Sequence, residues 1–248
     1  MTLIQLDNYG PWTGTLGGDR EPMLQILQAG LYSRIEKSFA DRGGLVFFNR
    51  FDEMLAVSNG ITEEEHQRIR DDLQKEFPVT ISMGIGVAEH PFQAQLRASR
   101  FLQEKGSAQS PIRKSIIAHQ GTLDLPTSYV KVAHFDIDGI TESHTDHASA
   151  YDTSLHVMTL YADLMQSFRE NEALLFFVGG DNFMGLANGM SVEQIELLLK
   201  RYRCKDVKLK CGIGIARTGR KAAELATLNL DLIRQTNGGK SILSTTSL

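Results

Sequence analysis

The stretch Leu45–Gly60, LVFFNRFDEMLAVSNG, decides the fold, because it returns as Leu174–Gly189, LLFFVGGDNFMGLANG. Six of the sixteen positions are identical without a gap. In each copy two apolar runs flank a turn, the pattern of a β-hairpin. The offset of 129 that carries Asp52 to Asp181 also carries Asp7, at the end of LIQLD, to Asp136, at the end of VAHFD. Farther on, Met83–Ala88, MGIGVA, pairs with Cys211–Ala216, CGIGIA, at an offset of 128. Segments that keep both order and spacing mark an internal duplication.

Each half reads as strand, long helix, two strands joined by a tight turn, helix, strand, helix, the split βαββαβ order of a ferredoxin-like domain. The expected class is therefore α/β of the α+β kind, in two tandem copies. Strands are expected near 2–8, 44–50, 53–59 and 79–88, and again near 129–138, 173–179, 182–188 and 207–216. Met23, Leu24, Leu27, Leu31, Ile35 and Phe39 recur at three- and four-residue spacing, which predicts a helix over 20–42 with one buried face. Thr62 followed by Glu63–Glu65 reads as a helix start over 62–76, and Ser191 with Glu193 repeats it over 191–203. Further helices are expected near 147–170 and 219–236. We place the first domain at 1–108, a connector at 109–127 around Pro111, Gly121 and Pro126, the second domain at 128–240 and a frayed tail at 241–248. A short helix over 112–120 is an alternative within the connector.

With 248 residues, 42% of them hydrophobic and 23% charged, the chain can bury two cores. A net charge of -4 offers no general attraction to nucleic acid or anionic lipid, so an anionic ligand must be held by local features. No apolar run approaches the roughly 20 residues that span a bilayer, and the start lacks a secretory pattern, so a cytoplasmic protein is expected. Cys204 and Cys211 lie outside any CxxC or Cys/His cluster, which argues against zinc and for two free thiols.

In this topology the first strand and the hairpin are neighbours, so Asp136 is expected beside Asp181 and Asp7 beside Asp52. Paired carboxylates suit Mg²⁺, a hard cation that keeps waters and completes its shell with substrate phosphates. Carboxylates alone would repel a triphosphate, so a triphosphate held through carboxylate-bound Mg²⁺ is the resulting expectation. Gly179-Gly180 before Asp181 would let phosphate oxygens reach backbone N–H groups, although hairpins also use glycine for conformation alone. The first half has Arg50-Phe51 there instead. Arg50 offers a fork to phosphate or a guanine edge and Phe51 a stacking face, or they are a surface arginine and a core phenylalanine. Trp12 reads as a packing anchor or a base-stacking ring, and Asn8 suits a guanine edge or a ribose hydroxyl. His144 and His147 read as a capping turn or a ligand pair, and His134 as packed within its strand.

The strand and hairpin aspartates with Gly-Gly-Asp resemble the palm domains of class III nucleotidyl cyclases and GGDEF diguanylate cyclases. A closer resemblance, over essentially the whole chain, is to archaeal GTP cyclohydrolase III. It rests on Asp7–Thr13 (DNYGPWT), Gly44–Phe47, Arg50-Phe51-Asp52, Gly106–Gln109, Ala150–Thr153 and Leu175–Met184 (LFFVGGDNFM). The resemblance implies tandem palm domains that open the imidazole ring of GTP at C8, keep the formyl group and release phosphate, the product feeding flavin or deazaflavin synthesis. It implies Asp7, Asp136 and Asp181 as catalytic metal ligands, Asp52 as a further carboxylate ligand, and Gly179, Gly180 and Asn182 at the phosphates. Asn8, Tyr9, Trp12, Arg50 and Phe51 complete the expected substrate contacts. Asp138 stands where the motif carries Asn and is the weaker ligand candidate. Two or more Mg²⁺ ions per site, a monovalent cation such as K⁺, and a homo-oligomer (dimer or tetramer) complete the expectation. The competing readings are a Mg²⁺-dependent nucleotidyl or diguanylate cyclase and a non-enzymatic GTP sensor.

Overall fold

Alternation along each strand decides which side chains meet a core, and the hydrogen-bond ladders that follow gather each half of the chain into its own sheet. The computed structural model describes residues 1–121, 123, 129–140, 145–204, 207–236 and 241–248. Met1–Glu89 with Gln93–Thr127 form one compact unit, and His90–Phe92 with Ser128–Leu248 form the other. Pro126 and the expected boundary at 127 lie outside the described residues.

The first half runs β1 (Thr2–Leu6), α1 (Tyr9–Thr13), α2 (Arg20–Ala40), β2 (Leu45–Arg50), β3 (Glu53–Val57), α3 (Glu63–Glu76), β4 (Ile81–Ile85), α4 (Pro91–Glu104) and β5 (Ile117–Ala118). Its strands lie in the order β2-β3-β1-β4-β5. The second runs β6 (Val130–Ile137), α5 (Ala150–Glu170), β7 (Leu174–Gly179), β8 (Asn182–Leu186), α6 (Val192–Arg203), β9 (Leu209–Ala216), α7 (Gly219–Gln235) and β10 (Ile242–Ser247). Its order, β7-β8-β6-β9-β10, is the same. The duplicated palm fold is thus present in both halves, with every expected strand and helix in place.

Thr62 and Ser191 each close a reciprocal capping box, with Glu65 and Gln194, which satisfies helix-start N–H groups that would otherwise be orphaned. The shared Gly-Ile-Gly of β4 and β9 has a packing cause. A Cβ on Gly212 or Gly214 would stand 2.0 Å from the carbonyl oxygen of Ala226 or Ala222 in α7, and one on Gly84 or Gly86 meets α4 at 2.2 and 2.0 Å. Only glycine lets the following helix approach so closely. On the other face of β6, Phe135 and Ile137 join Leu160, Leu164 and Phe168 of α5 in a buried core, as Ile4 and Leu6 join Leu31, Ile35 and Phe39 in the first unit.

Three expectations need correction. Residues 241–248 are not a frayed tail: β10 pairs in parallel with β9 from Cys211 to Ala216. The connector likewise supplies β5, parallel to β4, in place of the alternative helix over 112–120. The third correction is one of register. Leu6 N donates to Asp52 O, and the matching bond in the second unit comes from Ile137 N to Asp181 O, an offset of 131 (137 − 6) on the first strand. Asp7 N to Thr80 O is matched by Asp138 N to Lys208 O with the same 131 (138 − 7). The counterpart of Asp7 is therefore Asp138, and that of Asp136 is Gln5.

Candidate active site

In the second unit β6 delivers Asp136 directly opposite Asn182, the first residue of β8, and Asp181 sits in the turn just before it. That turn requires glycine: Gly179 has φ 116° and Gly180 φ 60°, left-handed values that cost a residue with a side chain. Nothing lies within 4 Å of where a Cβ would be on either, so the backbone there is open. Alternation turns Asp136 away from the core and toward α7. There Arg234, in the last turn of α7, donates Nη2 to Asp136 Oδ1 at 2.7 Å and Nε to Oδ2 at 3.4 Å. The same Nη2 reaches Asn182 Oδ1 at 3.3 Å, and Asn182 Nδ2 donates to Asp181 Oδ1 at 2.8 Å. His134, as expected, lies within β6, its Nδ1 3.0 Å from the Thr227 hydroxyl.

Burial, and then the charge of Asp136, push the Asp181 carboxyl above the usual range. Arg234 is held more firmly protonated by its hydrogen bond to Asp136. Beside Asp181 and Gly180 opens a cleft of about 310 Å³ lined by Ile140 and Val157 and by the hydroxyl-bearing Thr145, ahead of α5, and Thr153 and Ser154 in its first turns. Helix starts and glycine turns both present N–H groups to anions.

The first unit treats its carboxylates differently. Asp7 was expected as a metal ligand, but its side chain is fully buried and already saturated. Oδ1 accepts from Ser82 Oγ (2.7 Å) and Arg113 (3.3 Å), and Oδ2 accepts from Thr80 Oγ1 (2.9 Å) and the Ser115 amide (2.8 Å). Four donors fill the lone pairs of a carboxylate. It is a keystone joining β1, β4 and the connector. Asp52 turns to Arg50 (3.2 Å), which also holds Glu53 (3.0 Å), while the oxygens of Asp7 are taken by the four donors above. Asp138, the counterpart of Asp7, pairs with Lys210 at 2.6 Å.

Phe51 is 63% exposed and not a core residue; its ring caps Phe48, which stacks on Tyr32. Tyr9 and Trp12 fall in α1 and rest half-buried against the first core, the packing-anchor reading of the tryptophan. Asn8 takes a left-handed conformation (φ 50°), and its Oδ1 is buried without a partner among the described residues. His144 lies outside the described residues, and His147 is exposed. Arg234, Arg113 and the hydroxyls at the start of α5 were not anticipated. Only the basic last turn of α7 hinted at the first.

Among the described residues no group of three His, Cys, Asp or Glu side chains forms a ready-made metal cage, and no helix is long and apolar enough to cross a membrane. Asp136 and Asp181 nonetheless fit Mg²⁺, which commonly takes one or two carboxylates and leaves the rest of its shell to water and phosphate. A cation would also relieve the like-charge pressure on Asp181.

The family described as GTP cyclohydrolase III matches residues 1–246. The chain is 50% identical over 235 residues to a GTP cyclohydrolase III of Methanothermobacter thermautotrophicus, covering 94% of both chains. It is 47% identical over 241 residues to one from Methanobrevibacter smithii, covering 96% of this chain and 95% of that one. The solved GGDEF domain of DgcB from Caulobacter crescentus superposes on 48% of this chain and 77% of that one, at 14% identity and a TM-score of 0.38.

Proposed function

The chain belongs to the GTP cyclohydrolase III family, hydrolases named for GTP, and on that premise we propose that its second unit holds the triphosphate and opens the purine's imidazole ring. The observation that carries the placement is the Asp136 and Asp181 pair beside the open Gly179-Gly180 turn and the hydroxyl-lined cleft. The reaction adds water at C8, breaks the bond from C8 to N9 and keeps C8 as a formyl group. Two further hydrolyses release two orthophosphates and leave a formylaminopyrimidine monophosphate.

The residues divide this work by type. Asp136 and Asp181 would hold Mg²⁺, and Asn182 fixes the orientation of Asp181 through its amide. When bound, Mg²⁺ supplies polarisation of water and neutralises charge developing on phosphate oxygens. The backbone N–H groups of Gly179 and Gly180 and the hydroxyls of Thr145, Thr153 and Ser154 would donate to those oxygens.

The test is incubation with GTP and Mg²⁺. The purine ultraviolet band should shift and two orthophosphates appear per GTP, both stopped by a chelator. An unchanged spectrum would overturn the reading, and pyrophosphate release would mark a cyclase.

A further inference from the structure

Arg234 occupies Asp136, one of the two carboxylates assigned above to the cation. Its guanidinium takes both oxygens of Asp136, at 2.7 and 3.4 Å, and touches Asn182, which in turn holds Asp181. Asp136 therefore cannot offer the same lone pairs to a divalent ion until the arginine moves. Resting on the function proposed above, we propose that Arg234 is a positioning residue shared between Asp136 and the phosphates of the substrate. It neutralises Asp136 while the cation is absent, and once displaced presents its fork to phosphate oxygens.

Three observations support an exchangeable arginine over a structural one. The first is its exposure: the Arg234 side chain is 38% exposed, whereas Arg113, which clamps Asp7 in the first unit, is 2% exposed. An arginine open to water exchanges partners at little desolvation cost; a buried one does not. The second is its other partner. Asp231, one turn back on α7, sits 3.2 Å from Nη1 and tethers the guanidinium at the site after it leaves Asp136. The third comes from the duplication. Gly84 meets Ala98 as Gly212 meets Ala226, so α7 repeats α4 at an offset of 128 (226 − 98), and the counterpart of Arg234 is Gly106 (234 − 128). The counterpart of Asp136 is Gln5. Asp136 and the helix arginine that holds it are thus both replaced in the first unit, where the buried Arg113 of the connector reaches Gln5 at 2.6 Å instead.

Chemistry favours phosphate as the second partner. The planar guanidinium offers paired donors that match two phosphate oxygens as well as two carboxylate oxygens, and it stays charged across all working pH values. Asp136 and the triphosphate are then alternative acceptors for one fork, and the cation decides between them. The arrangement links the two ligands: cation binding frees the arginine for phosphate, and phosphate binding draws it off Asp136.

The consequence is a pair of effects with opposite sign. In the whole chain given by this sequence, Arg234→Ala should bind Mn²⁺ alone more tightly than the parent, because a competitor is gone. The same variant should bind inorganic tripolyphosphate about tenfold or more weakly, the scale of a lost charge-assisted hydrogen bond. Asp136→Asn should do the reverse, losing Mn²⁺ affinity while gaining affinity for tripolyphosphate in the presence of chelator. Arg234→Lys, which keeps the charge without the fork, should fall between parent and alanine for tripolyphosphate. Isothermal titration of Mn²⁺ and of tripolyphosphate, separately, into the parent and the three variants reads all of these, and unfolding curves establish that each variant is folded. If Arg234→Ala weakens both ligands together, or changes neither, the proposal is overturned. GTP turnover by the parent, measured alongside, separates this result from the functional reading: a parent that leaves GTP intact refutes that reading, while the opposed binding shifts test the arginine alone.

Discussion

The two units share one ladder and differ in what they do with a strand aspartate. In the first, Asp7 is buried and accepts from Arg113, Thr80, Ser82 and the Ser115 amide. In the second, Asp136 stands two residues earlier in the register, beside Asp181, held by an arginine that water can reach. The turns differ in step: Arg50-Phe51 carry side chains where Gly179-Gly180 expose backbone. Duplication supplied the same scaffold twice, and divergence left one carboxylate as buried cement and another beside an open glycine turn. The charge has even crossed the strand pair, since Gln5 opposite Glu53 stands where Asp136 opposes Asn182.

The largest effect should come from the second unit. Asp181→Asn or Asp136→Asn should lower GTP turnover by about a thousandfold, the scale on which loss of electrostatic stabilisation is felt, with near-ultraviolet circular dichroism unchanged. Asp7→Ala should do the opposite. It leaves Arg113 buried without a counter-ion, a loss of about 3–5 kcal/mol in urea unfolding, while the molecules that remain folded keep most of their activity. Equal losses of activity at Asp7 and Asp181 would erase the distinction.

Acid should sharpen the comparison on a similar scale. His66 is fully buried in the first unit, its Nε2 2.8 Å from the Thr2 hydroxyl and its Nδ1 2.7 Å from the Thr62 carbonyl. Burial lowers its pKa from 6.5 to about 4. Its counterpart, at the offset that takes Thr62 to Ser191, is Ile195 (66 + 129), also buried. Because the folded form binds the proton less tightly than the unfolded chain, the stability due to the neutral imidazole is present above pH 6.5. It is lost as pH falls from there toward 4, up to on the order of 3 kcal/mol. Unfolding measured across that window should show the first unit weakening first, and His66→Ile should flatten the profile. The smallest effect belongs to the turn. Gly180→Ala forces a side chain into φ 60° at about 1 kcal/mol, and should raise KM for GTP more than it lowers kcat.

The hairpin quoted at the outset was enough to read both sheets, because a period of two and a fixed turn residue survive divergence. It was also enough to bring Asp136 to Asp181. Its one error of register has a physical cause. A slip of two residues along a strand leaves every side chain on its original face, so the apolar pattern of β1 and β6 fits 129 as well as 131, and only hydrogen bonds choose between them. Arg234 and Arg113 were illegible for another reason: each meets its aspartate about a hundred residues away in sequence, and no local spacing encodes that meeting. The edge strands β5 and β10 escaped notice because one is two residues long and the other is rich in serine and threonine.

Titration of Mn²⁺ into the parent, Asp7→Asn and Asp136→Asn, at a temperature where circular dichroism shows all three folded, tests the division of labour most directly. Asp7→Asn should bind the cation as the parent does, and Asp136→Asn should lose it. Loss of cation binding in Asp7→Asn, with Asp136→Asn unaffected, would contradict the account.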